Sequence, residues 1–184
     1  MIRVSYLLAT FLSLLLCSSI TKANPEDAHR IPSKWEIVVI IGHPSNQVSE
    51  LSVNDLRKIV MAESTNWQNV GGVDRPIEIY MLQAPGSALD EIMRSVLNAQ
   101  LQERIQKESF FNSLLLRVSA VEGAIGLVPI SNSVQLRNLL DQTSIKVFPI
   151  KWDESSNAVL PSLEAMLNGL YPLIWRDYAP SERP

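Results

Sequence analysis

Few side chains in this sequence are placed to do chemistry, and the informative ones gather between Pro76 and Leu97 (PIEIYMLQAPGSALDEIMRSVL). Gln83 ends an alternating segment, Pro85-Gly86 interrupts it, and Ser87 opens a second pattern in which Leu89, Ile92, Met93, Val96 and Leu97 keep helical spacing. Strand, short loop and helix in that order aim free backbone N–H groups at whatever sits above the loop. The positive end of the helix dipole favours an anion there. Ser87, with Asp90 three residues on, suits a capping box. The same residues also describe an ordinary connection closed by its own serine. Gln83, Gly86 and Ser87, with the amides of Ala88 and Leu89, therefore form the one ligand site the sequence suggests: a neutral nest of donors suited to a small oxyanion.

Other candidates carry less. His43 follows an apolar run at the kind of strand end where open α/β sheets place ligands, but a loop histidine is usually solvated. His29 and His43 make no metal set, and no metal or cofactor is expected. Glu36, Glu78 and Glu122 form no recognisable acid pair, and Trp67 and Trp175 read as core-edge residues. Cys17 is the one cysteine and falls in the N-terminal apolar segment, which leaves the rest without a disulfide or a thiol nucleophile. There is no Ser-His-Asp motif and no phosphate-cradling lysine loop, so an enzyme is the least favoured reading.

These residues need a scaffold, and the chain supplies one. Arg3 precedes an apolar run from Tyr6 to Cys17, and Thr21-Lys22-Ala23 follows, which reads as a cleaved secretory signal over residues 1–23. A lipidated Cys17 is the weaker reading, because Leu16 stands where a small residue is expected. Arg3 and Lys22 leave with that segment. The remaining 14 of the 16 basic residues then face 19 acids, a net charge of −5, with no basic stripe for nucleic acid. Residues 24–34 read as a flexible lead-in, 35–178 as one domain and 179–184 as a loose tail.

Within the domain, Trp35–Ile41 is a continuous β-branched run of the kind covered on both faces in a parallel sheet. Ser52 and Asp55 box the start of a helix that uses Val53, Leu56, Ile59 and Val60. Ile77–Leu82 is a central strand, and Gln100–Val118 reads as a second long helix. Ala124–Ile130 is a buried strand, Ser133–Leu140 a helix capped by Ser133, Ile145–Ile150 a strand ending at Pro149, Leu163–Leu167 a short helix and Tyr171–Trp175 a last extended segment. Strands alternating with helices predict an α/β domain, a layered mixed sheet with flanking helices.

The order of these pieces resembles the PstS-type phosphate-binding proteins of phosphate ABC transporters. Leu51-Ser52 with Asp55-Leu56 and Ile59, Thr65-Asn66-Trp67 with Val70-Gly71-Gly72 and Pro76-Ile77, Gly123-Ala124-Ile125-Gly126, and Tyr171-Pro172-Leu173 carry the resemblance. It implies one lobe of a type II periplasmic binding protein, a periplasmic location and a membrane transporter or sensor as partner. It also implies phosphate or a similar oxyanion as ligand, held at Gln83, Gly86, Ser87, Ala88 and Leu89. Two departures are plain. The family's anion-binding arginine falls on Gln83 and its Ser-Gly-Thr on Ser87-Ala88-Leu89, so the serine survives while the fork of charge-assisted donors does not. Most of the family's first lobe is also missing. The resemblance thus implies a weak solute-binding module or, alternatively, an accessory interaction or sensory domain that has lost its ligand.

Overall fold

In the computed structural model, residues 34–99 and 103–177 are described. The segments expected to be a secretory signal, a lead-in as far as Ser33 and a tail from residue 179 lie outside them. The centre of the fold is β1 (Lys34–Gly42), whose residues from Glu36 onward are all buried. It pairs antiparallel with β5 (Ala124–Ile130) along one edge, Val39 facing Val128. Its other edge is shared. β8 (Ile174–Asp177) covers the start and β6 (Lys146–Val147) the end. Between them Tyr171 fills the gap, its hydroxyl donating to the Val38 carbonyl at 2.9 Å. The expectation of a parallel neighbourhood for β1 is therefore corrected. An apolar run is dictated by cover on both faces, and an antiparallel strand can have that cover too.

Parallel pairing appears on the other side of β5. β3 (Glu78–Leu82) lies between β5 and β4 (Gln106–Glu108), parallel to both, which gives the order β4-β3-β5-β1-β6. The sheet is mixed, with helices packed against it. β4 replaces the first part of the expected helix over 100–118. Ile105 and Phe111 are six apart, a gap no helical face tolerates, and the polar Gln106-Lys107-Glu108 between them suits a short edge strand. α3 begins only at Phe111 and runs to Ala120.

α1 (Val53–Val60) starts as expected. Ser52 Oγ accepts from the Asp55 amide at 3.0 Å, and the Asp55 carboxylate accepts from the Ser52 amide at 3.0 Å. α4 (Ser133–Leu140) is capped one residue earlier than expected, by Asn132 rather than Ser133. Phe148-Pro149 splits the expected strand over 145–150. β6 stays on β1, while β7 (Ile150–Lys151) leaves to pair in parallel with β2 (Leu51–Ser52). α5 spans Leu163–Leu167, with Ser162 as its cap.

The motif around Trp67 is structural. Asn66 Oδ1 accepts from the Gln68 and Arg75 amides, which folds a single 3-10 turn over Trp67–Val70 back on itself. Trp67 is buried, stacks on Phe148 with centroids 5.7 Å apart, and donates Nε1–H to the Gly123 carbonyl at 3.0 Å. That bond ties the loop to the start of β5. Trp175 is partly buried, as a core-edge residue should be, with the Lys34 ammonium 5.7 Å over its ring.

Candidate functional site

The loop between β3 and α2 (Leu89–Val96) is where the sequence places its donors. The Ser87 amide donates to the Ala84 carbonyl at 3.0 Å. Pro85 occupies the second position of that turn, and Gly86 the third with φ of +74°. That is a type II turn, which needs a glycine for its left-handed residue. A Cβ on Gly86 would meet nothing within 4 Å, so backbone conformation and not space selects glycine there.

The turn does not end in the expected capping box. The cap position of α2 is Ala88, which has no side-chain bond to offer. Asp90 is consequently one residue too close to the helix start to reach back. Ser87 makes a tighter local contact, its Oγ accepting from the Leu89 amide at 3.0 Å. The hydroxyl proton goes elsewhere: Ser87 Oγ donates to Glu36 Oε1 at 2.6 Å, a short bond of the charge-assisted kind. Glu36 sits on β1, directly behind the loop, and is only 5% exposed.

Five residues were expected to supply donors here, and the structure sorts them. The Gln83 amide continues the β3–β4 ladder by donating to the Glu108 carbonyl at 2.8 Å. The Ser87 amide closes the turn, the Leu89 amide meets Ser87 Oγ, and the Ser87 hydroxyl meets Glu36. Among the described residues the amides of Gly86 and Ala88 have no protein acceptor, nor does the exposed Gln83 side chain. A shallow groove of about 330 Å³ runs along the loop, lined by Gln83, Pro85, Ser87, Leu89, Asp90 and Lys107 among others.

Lys107 and Glu36 are the two residues sequence reasoning missed. Lys107 is brought beside the loop by β4, where it faces Met81 in register. It is exposed and forms no ion pair or hydrogen bond among the described residues. A helix assignment over that segment hid it. Glu36 was visible as a lone charge inside WEIVVII, the signal that could have marked it as a residue with a buried partner. The groove thus holds one cation, Lys107, and one anion, Asp90, with the Glu36 carboxylate behind its wall.

The remaining candidates have structural occupations. His43 Nδ1 lies 2.7 Å from Ser45 Oγ and accepts from the Ser45 amide at 3.1 Å, a local turn. Glu78 accepts from the Tyr80 hydroxyl at 2.9 Å, and Glu122 pairs with Arg75. Among the described residues no group of three or more metal-binding side chains comes together. His29 lies outside them.

The PBP superfamily domain model matches residues 18–178, and the chain belongs to that family. Solved structures agree on the fold. A protein assigned as a phosphate ABC transporter substrate-binding protein from Clostridium perfringens, solved with bound phosphate, is 21% identical with a TM-score of 0.60. The match covers 84% of this chain and 60% of that one. An ABC-type phosphate transport receptor from Vibrio cholerae is 19% identical with a TM-score of 0.60, over 78% of this chain and 55% of the receptor. PstS from Borrelia burgdorferi is 16% identical with a TM-score of 0.63, over 79% and 57%. The chain therefore spans little more than half the length of these proteins. A search of curated protein sequences finds no match.

Proposed function

We propose that this chain is an exported, single-lobe binding module of the phosphate-binding type, which holds phosphate or a related small oxyanion weakly over the Gln83–Leu89 loop and works with a membrane transporter or sensor. It is a binding protein and not an enzyme. The observation that carries the reading is the groove itself: Lys107, which has no ion pair or hydrogen bond among the described residues, lines the same cavity as Gln83 and Ser87 of the loop. A lysine supplies the positive charge that Gln83 does not, though as a point charge without the two-pronged geometry of an arginine. Further support comes from the three solved phosphate-binding proteins named above, which have the same fold.

The affinity is low for stated reasons. The groove is open, so water competes for every donor and screens every charge. Asp90 lines it, and the Ser87 hydroxyl is committed to Glu36. That last bond also favours a second reading, in which the module has given up its ligand and acts only by docking on a membrane partner. Calorimetric titration with inorganic phosphate at fixed ionic strength separates the two. Under the first reading the wild type binds weakly, Lys107→Ala binds more weakly still, and Gln83→Arg gains about 1 kcal/mol, roughly fivefold, the difference between neutral and charge-assisted hydrogen bonds. Absence of binding in all three folded proteins hands the function to the second reading.

A further inference from the structure

The bond between Ser87 and Glu36 joins two residues far apart in the sequence, one on the candidate ligand loop and one on the central strand. Ser87 Oγ carries one proton and accepts at its lone pairs. The proton is given to Glu36 Oε1, and the Leu89 N–H is received in return. The single Ser87 hydroxyl proton is committed to Glu36 Oε1, so Ser87 has no donor left for a ligand while Glu36 faces it. The buried Glu36 carboxylate also adds an acidic group beside a groove where Asp90 already offsets Lys107.

We infer that Glu36 is a positioning residue that holds the loop in a low-affinity state for oxyanions, by keeping the Ser87 hydroxyl turned inward. The inference deepens the phosphate-binding reading and rests on it. The ligand class it concerns is small tetrahedral oxyanions, which need several convergent donors. The groove is lined by Gln83 and Lys107 as donors, while the Gly86 and Ala88 amides belong to the same loop without lining it. Removing the Glu36 acceptor returns a further donor, Ser87 Oγ, to that set.

The test is calorimetric titration of inorganic phosphate into the wild type, Glu36→Met, Glu36→Gln and the double variant Glu36→Met/Ser87→Ala. Circular dichroism is recorded on each to establish folding. Methionine has nearly the volume of glutamate but no acceptor for the hydroxyl. Glu36→Met should bind phosphate about tenfold or more tightly than wild type, the scale of one hydrogen bond to a charged group. Glu36→Gln, which loses the charge but keeps an acceptor, should fall between. The double variant should lose most of the gain, because the hydroxyl that delivers it is gone. That reversal is a readout no purely structural role for Glu36 would produce.

A folded Glu36→Met that binds no more tightly than wild type overturns the inference, and so does a double variant as tight as Glu36→Met. Where Glu36→Met fails to fold, a folded Glu36→Gln without increased affinity has the same force. Wild-type binding that Lys107→Ala weakens while the Glu36 variants leave it unchanged sinks the inference alone and leaves the proposed function standing. Binding seen only in the Glu36 variants upholds the inference and moves the wild type to the ligand-free reading.

Discussion

Tyr171 shows what a single buried polar atom does for this molecule. Its ring is fully buried and its hydroxyl serves the Val38 carbonyl, on a stretch of β1 that neither β6 nor β8 reaches. Tyr171→Phe leaves that carbonyl without a partner, and the expected loss is about 1–3 kcal/mol. Burial pushes the Tyr171 hydroxyl well above the usual tyrosine range, and burial followed by the Glu78 carboxylate raises Tyr80 as well. Both groups keep their protons in the fold when the unfolded chain has begun to lose them. Their stabilisation is complete below about pH 10, where free tyrosine ionises, and declines as pH rises beyond it. Thermal melts between pH 8 and 11 should show that decline, and Tyr171→Phe should flatten it. Residue by residue, the sequence disclosed backbone-driven features best. Pro85-Gly86 names its turn type, whereas the partner of Glu36 lies on a loop no local pattern connects to it.

At the scale of elements, caps and close approaches decide where things begin. Ser52 caps α1 from a buried position and shares its hydroxyl with Asp55. Ser52→Ala should cost about 1 kcal/mol, read as a lowered midpoint in urea unfolding. Gly123 is more demanding: a Cβ there would collide with the Pro76 carbonyl, a backbone atom that cannot swing away. The same residue accepts the Trp67 indole and the Glu78 amide. Gly123→Ala should therefore loosen the β3–β5 junction and the Trp67 loop together, seen as faster amide exchange in both. The helices were legible where an apolar stripe and a cap coincide, as in α1. β4 was not, because its three polar residues lie at an edge whose pairing is set by β3 and not by its own composition. The split of β6 from β7 at Phe148-Pro149 was half legible: the proline announced an end, but not that the chain would resume in another sheet.

For the whole molecule, the mixed sheet and the helices packed on it share one continuous core. The chain spans little more than half the length of the three solved proteins named above. The order of its strands has a further consequence, for folding. β1 is the first described strand to leave the ribosome, and its partners all lie more than 80 residues later: Val39 waits for Val128, Ile41 for Val147, and Trp35 for Arg176. Pairings so distant in sequence require large loops to close before any contact rewards them, which slows folding. Until β5 exists, the run from Trp35 to Gly42 is an uncovered, β-branched segment without a charge after Glu36, the composition that aggregates. A nascent chain stopped before Ala124 should be unable to fold and should bind holdase chaperones through this segment, while one extended through Asp177 should release them.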